Sequence, residues 1–162
     1  MFQKILLWVF VVLFILSAGL YTRFYTLGQE SNAYSAPGLE ESKLTTCPNK
    51  PNCVNSEYPS DQSHFIAPLL LPELSWNDLK IILRQAIRQD GGAIKNTSEN
   101  YIAAEYTSHW FGFVDDLELR FDPEKRILHM RSASRVGYSD FDANRERSER
   151  LKSIIEKLLI TN

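Results

Sequence analysis

A charge-free run near the N-terminus constrains this chain more than any other feature. Residues Ile5–Leu20 read ILLWVFVVLFILSAGL and hold no charged side chain. Because a helix rises about 1.5 Å per residue, the run would span about 24 Å, slightly less than the ~30 Å hydrocarbon core of a bilayer. Tyr21, Phe24 and Tyr25 can extend such a helix into the interfacial aromatic belt. We therefore expect an N-terminal transmembrane helix, a signal anchor, within residues 1–25.

The charges that flank this run predict its orientation. Lys4 and the N-terminus precede it, whereas the residues up to Thr46 hold Arg23 and Lys43 against three glutamates. By the positive-inside rule, the N-terminus lies in the cytoplasm and the rest of the chain lies outside, in the periplasm if the protein is bacterial.

A cleavable signal peptide is the alternative to the anchor. The small residues Ser17 and Gly19 would permit cleavage after Gly19, but the apolar run is near the upper length limit of a signal. Position 20 is Leu rather than Cys, which excludes lipidation at a lipoprotein box. We favour the uncleaved anchor because of the length of the run and the aromatic residues that follow it.

Composition divides the remainder into a linker and one folded domain. Residues 26–46 are rich in Gly, Ser, Asn, Pro and Glu without apolar periodicity, which is typical of a linker. Residues 47–162 are long enough for one hydrophobic core. The chain is 44% hydrophobic and 23% charged, so it is not disordered by composition, and its net charge of −2 argues against nucleic acid as a partner.

Two cysteines open the predicted domain, in the sequence Cys47-Pro-Asn-Lys-Pro-Asn-Cys53. The prolines and asparagines favour turns that bring the two thiols together. In an extracytoplasmic domain this pattern indicates a disulfide that closes a small loop. No second Cys or His pair has the spacing of a zinc site, so we expect no metal, and a Cys-x-x-Cys redox motif is absent.

The apolar periodicity predicts an α+β fold. Ser75 precedes a helical stripe that ends at Gly91-Gly92, and a second stripe follows Ser139–Asp142. Between them lie four short strand candidates joined by short links, which favour an antiparallel meander. We predict a two-layer sandwich in which two helices cover one face of a four- to five-stranded antiparallel sheet. The strand candidates are residues 93–97, 101–108, 112–121 and 126–133.

Strand alternation places many charged side chains on the sheet face away from the helices. These are Glu105, Asp116, Glu118, Arg120, His129 and Arg131. One interpretation is a solvated charged face, and the other is a polar binding face or a carboxylate site.

Asp115 alternates instead with Phe113 and Leu117 on the apolar face, where a buried carboxylate needs a partner. We expect Arg131 and Arg135 to pair with carboxylates, chiefly among Asp115, Glu118 and Asp140.

A basic segment joins the last predicted strand to the last helix. It reads Arg131-Ser-Ala-Ser-Arg135-Val-Gly-Tyr-Ser-Asp140 and is followed by Asn144-Arg145. Free N–H groups at a helix N-terminus suit anions, so these side chains could hold a small anionic ligand, or they could form internal ion pairs. The candidate ligand-binding residues are Arg131, Ser134, Arg135, Asn144 and Arg145, with Glu105 and Glu118 nearby.

These motifs resemble a family of uncharacterised proteins, domain of unknown function 1499 (DUF1499). The resemblance rests on Cys47–Val54, Ala104-Glu105, Phe113–Glu118, and Arg131–Asp140 with Asn144-Arg145, and it covers about residues 47–160. It implies a secreted or membrane-attached envelope protein and no agreed activity. The chain departs from the family pattern at Phe141-Asp142-Ala143, where Leu-Gly-Val is more common, and the extra carboxylate weakens an anion site.

We expect a membrane-tethered extracytoplasmic binding or interaction module without a cofactor, whose partners are the membrane and an envelope or membrane protein. One alternative is a hydrolase-like envelope enzyme that uses Asp115 or Asp116 with His129 or Ser132. Another is a structural subunit of a membrane complex. A tri-histidine metal site from His64, His109 and His129 has little support, because these residues are scattered.

Overall fold

The computed structural model describes residues 2–161 and confirms the α+β class with an antiparallel sheet. Each predicted helix is present, and each of the four predicted strands is present within two residues of its expected ends. The elements are α1 (Phe2–Ser31), β1 (Leu39–Glu40), β2 (Lys43–Leu44), β3 (Cys53–Asn55), β4 (Leu69–Leu70), α2 (Trp76–Gln89), β5 (Ala93–Ser98), β6 (Tyr101–Thr107), β7 (Val114–Asp122), β8 (Ile127–Ser134) and α3 (Ala143–Thr161).

The main sheet has the strand order β3-β8-β7-β6-β5, and β4 also pairs with β8. Strands β5 to β8 form the predicted meander, while β3 and β4 add short antiparallel pairings to β8. Asp115 lies opposite Ser134, and Asp116 lies opposite both Glu105 on β6 and Ala133 on β8. The register therefore brings the start of β7, the end of β6 and the end of β8 to the same end of the sheet.

Helices α2 and α3 cover one face of the sheet, here called the helix face. The side chain of Ser75 accepts a hydrogen bond from the Asp78 N–H, which confirms the predicted start of α2. The apolar stripes of both helices pack on alternate residues of β6, β7 and β8 and remove them from water. The central contacts of this core are made by Leu79, Leu83, Ile87, Ile102, Leu117, Leu119, Leu128, Met130, Leu151 and Ile155.

The opposite face of the sheet, here called the back face, is covered by the chain between α1 and β3 and by Glu57, which follows β3. The completely buried Leu44 of β2 packs on Tyr101 and Ala103 of β6. The carboxylate of Glu57 pairs with Arg120 of β7. Glu118 and Asp116 are consequently buried, so the interpretation of this face as a solvated one is wrong. Alternation shows which face a residue occupies, but it does not show which distant segment packs on that face.

Helix α1 is apolar and exposed over residues 2–26, and only its last turns contact the domain. Its length and composition suit a membrane anchor or a signal sequence. Gly28 lies so close to the Phe111 carbonyl that an added Cβ would collide with its oxygen. The Val114 N–H donates to the Ser31 hydroxyl at 2.9 Å. The end of α1 is thus part of the folded domain, and residues 26–46 hold this end and the β1–β2 hairpin.

A disulfide joins Cys47 to Cys53 at the start of β3, as predicted. Cys53 pairs with Ala133 of β8, so the small closed loop is fixed to the end of the sheet that receives α1. Disulfides persist in oxidising compartments, and this one is consistent with an extracytoplasmic location.

We predict that Gly28→Ala destabilises the protein and that the matched substitution Gly19→Ala does not. The Cβ at position 28 would meet the Phe111 backbone, whereas at position 19 nothing lies within 4 Å. Overpacking of this kind costs about 1–3 kcal/mol, while Gly to Ala in an exposed helix is neutral or favourable. Thermal unfolding of the full chain in mild detergent measures the difference, and equal melting temperatures for the two variants would contradict the docking of α1.

Candidate functional site

The most connected charged group on the back face is the guanidinium of Arg135, whose side chain is only 4% exposed. Its Nε and Nη2 donate to both carboxylate oxygens of Asp116 at 3.0 and 2.7 Å. Nη2 also donates to Glu105 at 2.6 Å, and Nη1 donates to the Ser31 carbonyl at 3.2 Å. We call Ser31, Glu105, Asp116 and Arg135 the Arg135 cluster. It joins the end of α1 to β6, β7 and the residue that follows β8.

Electrostatics favour the ionised forms of Arg135 and Glu105. The hydrogen bond to Asp116 raises the pKa of Arg135 above its usual value, although burial opposes it. Burial alone would raise the pKa of Glu105, but bonds from Lys95 and Arg135 outweigh it and lower this pKa. Because Arg135 already donates to four oxygens, the cluster is an internal ion-pair network rather than an open anion site.

A second network lies beside the first and contains Gly38, Tyr101, Glu118 and Arg131, which we call the Glu118 cluster. The carboxylate of Glu118 is completely buried. It accepts hydrogen bonds from the Tyr101 hydroxyl at 2.7 Å, the Gly38 N–H at 2.9 Å and Arg131 Nη1 at 2.8 Å. Burial raises the pKa of Glu118 despite the attraction of Arg131. The predicted pairing of Arg131 with Glu118 is therefore confirmed.

Asp115 lies on the helix face and pairs with Arg147 at 2.7 Å, not with Arg131 or Arg135. The expected pairing of Asp115 with those two arginines is wrong because they lie on the back face, on the other side of the sheet. Arg147 projects from the first turns of α3 and packs its guanidinium 4.5 Å from the centroid of the Tyr106 ring. The sequence analysis did not propose Arg147 as the partner of Asp115. Its position near the start of the last predicted helix could have indicated it, because that helix packs on the face that carries Asp115.

The other candidate binding residues surround Asn144, the buried second residue of α3. Asn144 accepts a hydrogen bond from Ser132 at 2.6 Å and donates to the Ser134 hydroxyl at 3.0 Å. The carboxylate of Asp140 accepts from both the backbone and side-chain nitrogens of Asn144 at 2.8 Å. Arg145 is set apart and donates to the Phe65 carbonyl at 2.9 Å. The candidate residues thus fall into several separate groups, each held by internal hydrogen bonds.

The residues of the hydrolase alternative are also distributed over both faces. Asp116 and His129 share the back face, but His129 lies opposite Arg120, four residues along β7 from Asp116, or about 13 Å at ~3.3 Å per residue. The ring of His129 contacts the Ser56 hydroxyl, and burial lowers its pKa. On the helix face, Arg147 bonds to both Asp115 and Ser132. No pair of these groups has a nucleophile beside a free base.

Within residues 2–161, no group of three or more His, Cys, Asp or Glu side chains is arranged to hold a metal ion. The three histidines have separate surroundings. His64 bonds to Asp61, His129 contacts Ser56, and the ring of His109 lies against Trp110.

A cleft of about 410 Å³ opens next to the Arg135 cluster. Residues 35–38, which follow α1, form one wall, and Lys95 and Asn96 of β5 form the other. Lys95 lies at the rim and pairs with Glu105 at 2.6 Å. Two candidate residues, Glu105 and Arg135, line this cleft, whereas the other five do not. Its lining combines apolar surface from Ala36, Pro37 and Ala103 with two acidic and two basic side chains.

A family model described as protein of unknown function (DUF1499) matches residues 43–155 of this chain. The chain belongs to the DUF1499 family. The match begins at β2 and ends within α3, so it contains Glu105, Asp116 and Arg135 but not Ser31 or residues 35–38. No curated protein and no solved structure matches the chain.

The backbone is left-handed at Phe141 and Asp142, immediately before α3. Asp142 has φ +66°, a left-handed conformation that glycine adopts without strain. Aspartate is among the few residues other than glycine that tolerate this conformation. The carboxylate that bonds to the first turn of α3 belongs to Asp140, not to Asp142.

We predict that Arg135→Ala lowers the free energy of unfolding by about 3–5 kcal/mol, because it leaves the buried carboxylate of Asp116 without its counter-ion. The control is Arg88→Ala on the exposed surface of α2, which should change it by no more than about 0.5 kcal/mol. Urea unfolding of the full chain in mild detergent measures both. If Arg135→Ala were as stable as the control, Arg135 would be free to bind a ligand and the network would not hold the fold.

Proposed function

We propose that this DUF1499 protein is a membrane-tethered extracytoplasmic interaction module. In this proposal α1 stays uncleaved and crosses the membrane with its N-terminus in the cytoplasm. The cleft beside the Arg135 cluster then binds a segment of another envelope or membrane protein. The apolar helix, the flanking charges and the disulfide support this location.

The observation that carries the proposal is that the residues immediately after α1 line the cleft. Ser31 ends α1, and Ser35 to Gly38, only a few residues later, line the cleft. The N–H of Gly38 donates to the buried carboxylate of Glu118, which fixes this wall to the sheet. A partner in the cleft would therefore contact the residues that connect the domain to the membrane helix.

The chemistry of the cleft favours a protein segment of mixed character over a small anion. Its four charged side chains balance, because Lys95 and Arg135 face Glu105 and Asp116. The donors of Arg135 are committed to internal oxygens, so Lys95 at the rim is the more accessible cation, and it is already paired. Apolar contacts with Ala36 and Pro37 would supply affinity, and the Lys95–Glu105 pair would orient polar groups of the partner.

A photo-reactive amino acid at position 96 tests this proposal. Asn96 is exposed and lines the cleft, whereas the control position Glu156 is exposed on α3 at the helix face. Irradiation of membranes should give a discrete adduct from position 96 and none from position 156. The additional substitution Ala36→Trp, which fills the cleft, should remove that adduct.

An adduct that forms equally from both positions, or that persists with Ala36→Trp, would contradict the cleft as the binding site. The absence of any adduct from position 96 in membranes that contain the native partners would contradict the interaction module itself.

A further inference from the structure

The connection between β6 and β7 carries an unusual concentration of aromatic side chains. It reads Ser108-His-Trp-Phe-Gly-Phe113 and contains no charged residue. Trp110 is 77% exposed, although tryptophan is rarely left in water without a reason. We call residues 108–113 the hairpin tip.

The hairpin tip lies alongside the part of α1 where the apolar run ends. The ring of Phe111 is 5.6 Å from Tyr21 and 5.4 Å from Phe24, measured between centroids. Phe113 contacts the same helix at Phe24, and Gly28 packs on the Phe111 carbonyl. These contacts fix the height of the tip along the helix axis.

That height corresponds to the boundary of the hydrocarbon core. A hydrocarbon core of ~30 Å needs about 20 helical residues, so a span that begins at Ile5 ends near Phe24. Phe111, in contact with Tyr21 and Phe24, then lies at the level of the acyl chain and headgroup boundary. Arg23 of α1 is at the same level, where its long side chain can reach the headgroups.

Other exposed aromatic residues lie at the same end of the sheet. The β8–α3 connection leaves the sheet next to the start of β7, since the Arg135 N–H donates to the Val114 carbonyl. It carries Tyr138 and Phe141, which is 92% exposed and has φ +54°. The left-handed backbone strains a bulky residue such as Phe141, and its exposure leaves an apolar ring in water. A membrane surface at this end of the sheet would remove the ring from water.

We propose that the hairpin tip is a second membrane contact, with Trp110 inserted among the phospholipid headgroups of the leaflet from which α1 emerges. This inference rests on the proposed tethering by α1. The amphipathic indole ring is enriched at membrane interfaces because its apolar ring is buried while its N–H meets polar groups. The helix and the tip together hold the domain against the bilayer in one orientation.

The three tryptophans of the chain provide the test, because each reports on a different place. Trp8 lies in the apolar run of α1, Trp76 packs on Phe121 at the start of α2, and Trp110 is at the tip. Three variants of the full chain each retain one tryptophan and carry Phe at the other two positions. They are reconstituted in phosphatidylcholine vesicles whose acyl chains carry bromine near the headgroup, which quenches nearby indole fluorescence.

We expect the fluorescence of Trp110 to be quenched about twofold more strongly, or more, than that of Trp76, and to shift to shorter wavelength on reconstitution from detergent. Trp8 should also be quenched. Quenching of Trp8 without quenching of Trp110 overturns the membrane contact and leaves the tether intact. A shift to shorter wavelength without quenching would indicate burial of Trp110 against protein, such as a second copy, and also overturns the contact. No quenching of Trp8 overturns the tether itself.

A variant with a single substitution provides an independent check if the variants that retain only one tryptophan do not fold. Trp110→Phe changes only the exposed residue, and in brominated vesicles it should remove the strongly quenched interfacial component from the emission of the otherwise native chain. Quenching identical to that of the unmodified chain would contradict the proposal.

Discussion

The guanidinium of Arg135 connects parts of the chain that are far apart in sequence, namely the last residue of α1, the ends of β6 and β8 and the start of β7. Its hydrogen bonds to α1, β6 and β7 are 2.6–3.2 Å long, and its own side chain is only 4% exposed. A planar group with five N–H donors can serve four acceptors in fixed directions, which lysine cannot do. The position of α1 and the closure of one end of the sheet therefore depend on the same side chain.

The strands and helices were largely predictable, because each buries one face and its apolar residues therefore recur with the period of a helix or a strand. Leu117 and Leu119 had to face the helices, and Ser75 had to cap α2. The covering of the back face was not predictable in this way. Leu44, Gly38 and Glu57 lie in a segment without apolar periodicity, and their contacts with Tyr101, Glu118 and Arg120 depend on the three-dimensional path of the chain.

The candidate site shows the same division. The pairing of Arg131 with Glu118 could be predicted because neighbouring strands place both residues on one face. The partners of Arg135 were not predicted, although alternation placed Glu105 and Asp116 on the back face. Arg135 lies beyond the end of β8, and one of its partners is a backbone carbonyl in α1. The partner of Asp115 is Arg147 of α3. Which residue of α3 reaches Asp115 depends on how that helix is rotated over the sheet.

The family match and the contacts of α1 suggest how the protein is organised. Residues 43–155, which the family model matches, contain the main sheet, the Cys47–Cys53 disulfide, and Arg131 and Arg135. In this chain, the residues before that segment supply the helix, one wall of the cleft and the carbonyl that completes the coordination of Arg135. The end of α1 and the domain therefore form one rigid unit, in contrast to a domain on a flexible stalk.

Hydrogen–deuterium exchange of the full chain in lipid nanodiscs tests that rigidity most directly. The amide of Val114 donates to the buried hydroxyl of Ser31, and this contact exists only while α1 is docked. If helix and domain form one unit, the Val114 amide will exchange as slowly as the amides of the central strands, and Arg135→Ala will accelerate it markedly. If the Val114 amide exchanges as fast as the exposed residues of a loop in the unmodified chain, α1 is not held by the domain and the two do not form one unit.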